Sequence, residues 1–166
     1  AIVASQSDSG VQIINISDPA NIVATDAETD GANSFTELDG ARGVATFTIS
    51  TSTYAIVAAA TDSGVQIINI TDPTNIVATD AETDGVNSFT ELATATGVDT
   101  FTISTSTYAI VASFVDDGVQ IIELNTPSSS SSSSSSTGGA NDDTGDNTPP
   151  TLGVDFNSKR FVTDGF

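Results

Sequence analysis

An all-β chain of tandem antiparallel units is the fold class this sequence predicts. Three observations carry it: a segment that returns every 54 residues, short Val-, Ile-, Thr- and Phe-rich runs bounded by turn-forming residues, and no apolar pattern of helical period. The string AIVASQSDSGVQIINISDP at Ala1 returns as AIVAAATDSGVQIINITDP at Ala55 and as AIVASFVDDGVQIIELNTP at Ala109. Between residues 1–54 and 55–108 only positions 5, 6, 7, 17, 20, 32, 39, 40, 42 and 45 differ, so ten of 54 pairs change and 44 are kept. Copies this similar are expected to share one fold.

Within one period the apolar runs read as four strands, at residues 43–50, 53–59, 65–70 and 75–79. The first two are rich in β-branched and aromatic residues, which suit a pleated, half-buried surface. Between the second and third, Thr61-Asp62-Ser63-Gly64 supplies a tight hairpin turn, matched at residues 7–10 and 115–118. Asp72-Pro73 stops the third strand, because proline has no N–H for the ladder and restricts the residue before it. The third copy keeps strands at 97–104, 107–114 and 119–124, then leaves the pattern after Leu124. Four antiparallel strands in about 40 to 50 residues is the size of a propeller blade, whereas a sandwich domain needs about 100. Residues 1–126 are therefore expected to form about two and a half four-stranded antiparallel blades of a longer β-propeller. The last blade would be completed by the rest of the same chain, through an upstream strand resembling NIVATD.

From 127 to 150 the chain turns to Ser, Gly, Asn, Asp and Thr, including nine consecutive serines from Ser128 to Ser136, and reads as a flexible linker. Residues 151–166 regain apolar alternation and resemble the opening strand of a β-sandwich-like, Ig-type domain. The GVQIINISDP and GVQIINITDP strings, the second preceded by TYAIVA, resemble the LVIVD-type β-propeller repeats of archaeal and bacterial cell-surface proteins. The likeness covers residues 1 to 124 and implies a propeller fold at the cell surface. This chain departs from the family in reading VQIINI where aspartate-bearing versions are common.

Composition narrows the function. Twenty-two Asp and Glu stand against three basic residues, for a formal net charge of −19. Such a field repels nucleic acid and anionic membranes, and leaves cations, basic surfaces and neutral glycans as partners. With no Cys, His, Met or Trp, thiolate and imidazole chemistry are absent from the chain, and with them the usual nucleophile–base pairs. Paired carboxylates of the glycosidase kind are what remains, and their abundance reads more simply as solvation of an outer surface. The longest apolar stretch, residues 54–60, is far short of the roughly 20 residues that span a bilayer, so no membrane insertion is expected here.

Two constellations stand out. Asp26, Glu28, Asp30, Gly31 and Glu37 occupy positions 1, 3, 5, 6 and 12 of the pattern D-x-[DN]-x-[DN]-G-x5-E, and Asp80, Glu82, Asp84, Gly85 and Glu91 repeat it. A hard cation wants six to eight oxygens and the glycine permits a sharp bend, so calcium is one reading. A solvated acidic loop is the other, since Glu departs from the pattern at its third position and strands flank it. Asn15-Ile16-Ser17 and Asn69-Ile70-Thr71 fit the N-glycosylation acceptor, and an asparagine before Asp-Pro can equally cap a backbone turn. Phe47, Tyr54, Phe101 and Tyr108 recur at the repeat period and read as core packing.

These features lead to an extracellular or cell-surface repeat module with a structural, adhesive or protein- and glycan-interacting role, and no catalytic constellation of its own. Two alternatives are the propeller part of a secreted hydrolase whose catalytic residues lie elsewhere, and a calcium-dependent glycan-binding module.

Overall fold

The computed structural model describes residues 1–124, and among them ten strands form three antiparallel sheets with no helix. Sheet A contains β1 (Ile2–Ser5), β2 (Gly10–Asn15) and β3 (Val23–Thr29). Sheet B contains β4 (Ala41–Ile49), β5 (Ser52–Ala59), β6 (Gly64–Asn69) and β7 (Val77–Thr83), in chain order. Sheet C contains β8 (Ala95–Ile103), β9 (Ser106–Ser113) and β10 (Gly118–Glu123). No sheet closes on itself among the described residues. The segments expected to form a linker and a following domain lie outside them.

The sequence period is also a period of register. Val57 faces Gln66 across β5 and β6, as Val3 faces Gln12 in sheet A and Val111 faces Gln120 in sheet C. Irregularities repeat as well: the ladder shifts between Ile13 and Ile14, and again between Ile67 and Ile68. Cross-strand pairs of Phe47 with Tyr54 and of Phe101 with Tyr108 stack at 5.5 and 5.6 Å, which uses the aromatic rings as packing surface.

Alternation along β5 explains why its run AIVAA is apolar on both sides. Ala55 and Val57 point to a core shared with Val11, Ile13, Phe35 and Leu38. Ile56 and Ala58 point the other way, to a core shared with Leu92, Ala109 and Val111. Sheet B thus has one face on sheet A and the other on sheet C, and full burial of a side chain such as Ile56 contributes roughly 1.5–3 kcal/mol. We call each junction a seam, and the side of a sheet that meets the next repeat its forward face.

Two local expectations are corrected. The fourth strand begins later and runs further than residues 75–79, taking in Asp80 and Glu82. Residues 72–75 are held back in a turn, with Asn75 N–H donating to the Asp72 carbonyl and Thr74 N–H to the Asp72 carboxylate. Beyond it, an edge strand tolerates the polar run TDAET because one of its sides is never paired. In the hairpin, the left-handed position is Ser63 (φ 58°), repeated at Ser9 and Asp117, rather than the glycine. Gly64 instead opens β6, where a methyl group would overlap the Glu37 carboxylate and stand 2.6 Å from the Glu82 carbonyl oxygen.

Candidate functional site at the seams

Each seam is bridged by the segment that carries the chain from one sheet to the next. After β3, Gly31 (φ 75°) turns the backbone and Gly31 N–H donates to the Phe35 carbonyl at 2.7 Å, which buries Phe35 and Leu38 completely. Residues 36–39 then cross to sheet B in irregular backbone, so their N–H groups need partners outside a ladder. Side chains provide all of them. Thr36 and Glu37 N–H donate to Gln66 Oε1 at 3.1 and 3.3 Å, Leu38 N–H to Asp30 Oδ1 at 3.1 Å, and Asp39 N–H to Asp62 Oδ2 at 2.7 Å. Gln66, only 1% exposed, uses its amide to donate to the Asp80 carbonyl at 2.7 Å. The next seam repeats the arrangement: Thr90 N–H donates to Gln120, Leu92 N–H to Asp84, and Ala93 N–H to Asp116.

Glu37 sits at the centre of this network. It is 9% exposed, and its Oε1 accepts a hydrogen bond from the Thr83 hydroxyl at 2.6 Å. Its Oε2 is buried against Gly64 without a hydrogen-bond partner among the described residues. Burial pushes the Glu37 carboxyl above its usual range; the Thr83 hydroxyl opposes that rise, while the charges of Asp62 and Asp30 add to it. Asp62 is raised too, first by burial and then by Asp30 and Asp39, against the lowering effect of the Asp39 N–H. Four carboxyl groups, Glu37, Asp62, Asp30 and Asp39, therefore meet in this network, with no basic residue among the groups that act on Glu37 and Asp62.

The structure distributes the calcium-pattern residues among several tasks. Asp26 and Glu28 lie in β3, and Asp80 and Glu82 in β7, rather than in a loop. Asp26 Oδ2 accepts from Ile76 N–H at 2.7 Å, tying sheet A to the turn before β7. Glu28 accepts from the Asn33 amide and Glu82 from the Asn87 amide, both at 2.9 Å. Asp30 and Asp84 hold Leu38 and Leu92, while Glu37 and Glu91 pack against Gly64 and Gly118. Asp30 and Glu37 are brought near Asp62, and Asp26 is used elsewhere. Among the described residues no group of three or more carboxylates is placed to hold a metal ion.

Sequence reasoning missed Gln66, Asp62 and Thr83. The available signal was the glutamine inside an apolar strand at the same place in every copy, Gln12, Gln66 and Gln120. At the glycosylation motifs, Asn15 Oδ1 accepts from Ser17 N–H and Asn69 Oδ1 from Thr71 N–H, each at 2.9 Å, so both asparagines cap the turn after their strand. The Thr71 hydroxyl also accepts from Thr53 N–H. Comparison with protein-family models returns no match, and neither does comparison with curated proteins.

Proposed function

We propose that this chain is a β-propeller-type repeat array of a cell-surface or secreted protein, serving a structural, adhesive or partner-binding role through its outer surface. The observation that carries this reading is the use of side chains at the seams. The carboxylates and glutamines that the repeat places between sheets accept backbone N–H groups of the crossing segment, so their chemistry goes into joining repeat to repeat. The likeness of the GVQIIN strings to LVIVD-type repeats supports the same reading. An acidic outer surface favours soluble protein or glycan partners over nucleic acid, and Asn15, exposed at the end of β2, is a place for glycan attachment. No helix among the described residues is long and apolar enough to cross a membrane.

Antibodies raised against residues 1–124 test the location on source cells. Labelling of intact cells, or recovery of the antigen from the medium, is expected. Labelling that requires permeabilisation would refute the reading.

A further inference from the structure

Strands β3 and β7 each end a sheet, so one side of their backbone has no ladder partner among the described residues. Sheet B has its forward face on sheet C and its other face on sheet A, and β7 is still its last strand. An edge of this kind is a template for a foreign strand. Repetition sharpens the hazard: 44 of 54 positions are identical between the first two repeats, so an edge that suits one copy suits the other.

Register decides which backbone groups are at risk. Asp84 N–H donates to the Ser63 carbonyl at 2.8 Å, so the backbone groups of that pair face each other across the ladder. Gln66 and Ala81 pair three residues further along, and antiparallel backbone groups alternate sides, so Ala81 N–H points away from β6 toward the open edge. There it donates to Asp80 Oδ1, on the residue before it, at 3.0 Å. Sheet A repeats the device. Asp30 N–H donates to the Ser9 carbonyl at 2.8 Å, Ala27 lies three residues back opposite Gln12, and its outward N–H donates to Asp26 Oδ1 at 2.9 Å. A further instance arises where the repeat does not dictate it: β8 ends sheet C, and Thr100 N–H donates to Asp99 Oδ1 at 2.8 Å, although β4 has Ala45 at the matching position.

We propose that Asp26, Asp80 and Asp99 are edge guards, each holding the outward N–H of the next residue so that a foreign strand cannot pair there. An aspartate suits the task because its short side chain reaches a neighbouring backbone N–H. A strand that adds to a guarded edge must first displace the cap, exchanging one hydrogen bond for another without net gain. Repeats of nearly one sequence then meet face to face at their seams and not edge to edge. Partners reach these edges through side chains rather than by strand addition.

Asp80 is the clean position to test, because Asp26 also accepts from Ile76 N–H across the seam. The full 166-residue chain is incubated at micromolar to submillimolar concentration, and its association is followed by sedimentation and by the intermolecular β-sheet band of the infrared spectrum. Asp80→Ala is expected to raise the sheet-paired fraction about fivefold, the equivalent of one net hydrogen bond. Asp80→Asn keeps the accepting oxygen and loses the charge, and should stay near wild type. Far-UV circular dichroism verifies folding; if Asp80→Ala does not fold, Asp99→Ala carries the same comparison. An Asp80→Ala chain that associates no more than wild type would overturn the proposal. Equal association of Asp80→Ala and Asp80→Asn would overturn it in favour of plain charge repulsion. Extra association without the infrared band would also overturn it, since the contact would then lie away from the edge.

Discussion

Replacing Gln66 by leucine removes one side chain that serves four backbone groups at a seam. Its Oε1 accepts from Thr36 and Glu37 N–H, and its Nε2 donates to the Asp80 and Ile67 carbonyls. Leucine keeps the volume and the apolar contact but satisfies none of them. Thr36 is exposed, so water can replace its partner, whereas Glu37 is buried. Orphaning the Glu37 N–H and the Asp80 carbonyl costs roughly 1–3 kcal/mol each, about 3 kcal/mol together when partial hydration is allowed for. The repeat supplies its own control. Gln12 also donates to the carbonyls of Asp26 and Ile13, but none of its bonds reaches a crossing segment, so Gln12→Leu should cost only about 1 kcal/mol. For a chain of this size that separates the two variants by roughly 5–8 °C in melting temperature. Thermal melts monitored by circular dichroism measure it, and hydrogen exchange at Glu37 N–H should accelerate in Gln66→Leu alone. Equal destabilisation by the two substitutions would show that anchoring the crossing segment contributes nothing.

Three further outcomes are expected. Because the folded-state pKa of Glu37 lies above the unfolded value, its contribution is fully present below the unfolded pKa and is lost as pH rises through the folded one. Glu37→Gln should therefore raise the melting temperature at about pH 8 and lose that advantage toward about pH 4; parallel pH profiles of variant and wild type would contradict this. Thr94 occupies the left-handed region (φ 57°) where the preceding repeat has Gly40 (φ 71°), and a β-branched residue is strained there. Thr94→Gly is expected to stabilise the chain by about 1 kcal/mol in urea unfolding, and a loss of stability would count against the strain. Since Asp80, Glu82 and Asp84 already accept N–H groups from Ala81, Asn87 and Leu92, calorimetry is expected to show no calcium binding tighter than about 1 mM. Submillimolar heat abolished by Asp80→Ala would overturn that.

Much of the architecture was legible because it is local. Strand alternation, Pro73 and the tight hairpin turns place β5 and β6 within a residue or two of where the structure has them, and the 54-residue repeat carries that placement to the other sheets. The seams were not legible in the same way. Gln66 meets Thr36 across 30 positions, and Thr83 meets Glu37 across 46, so their roles depend on how two sheets face each other. The acidic spacing misdirected the eye for a physical reason: strand β7 absorbs Asp80 and Glu82 into a ladder, so residues evenly spaced in sequence reach different donors. Gly64 was similarly read as a turn residue, when its value is the room it leaves for a carboxylate from another segment.

Interchangeable seams have an evolutionary corollary. A crossover that inserts or deletes one whole period rejoins each strand to a neighbour of almost identical sequence, whatever point within the 54 residues it strikes. No interface has to be reinvented, so array length is free to drift faster than the repeat that composes it. Only the few positions that distinguish the copies, such as Asp39 against Ala93 and Gly40 against Thr94, would record which repeats have been shuffled.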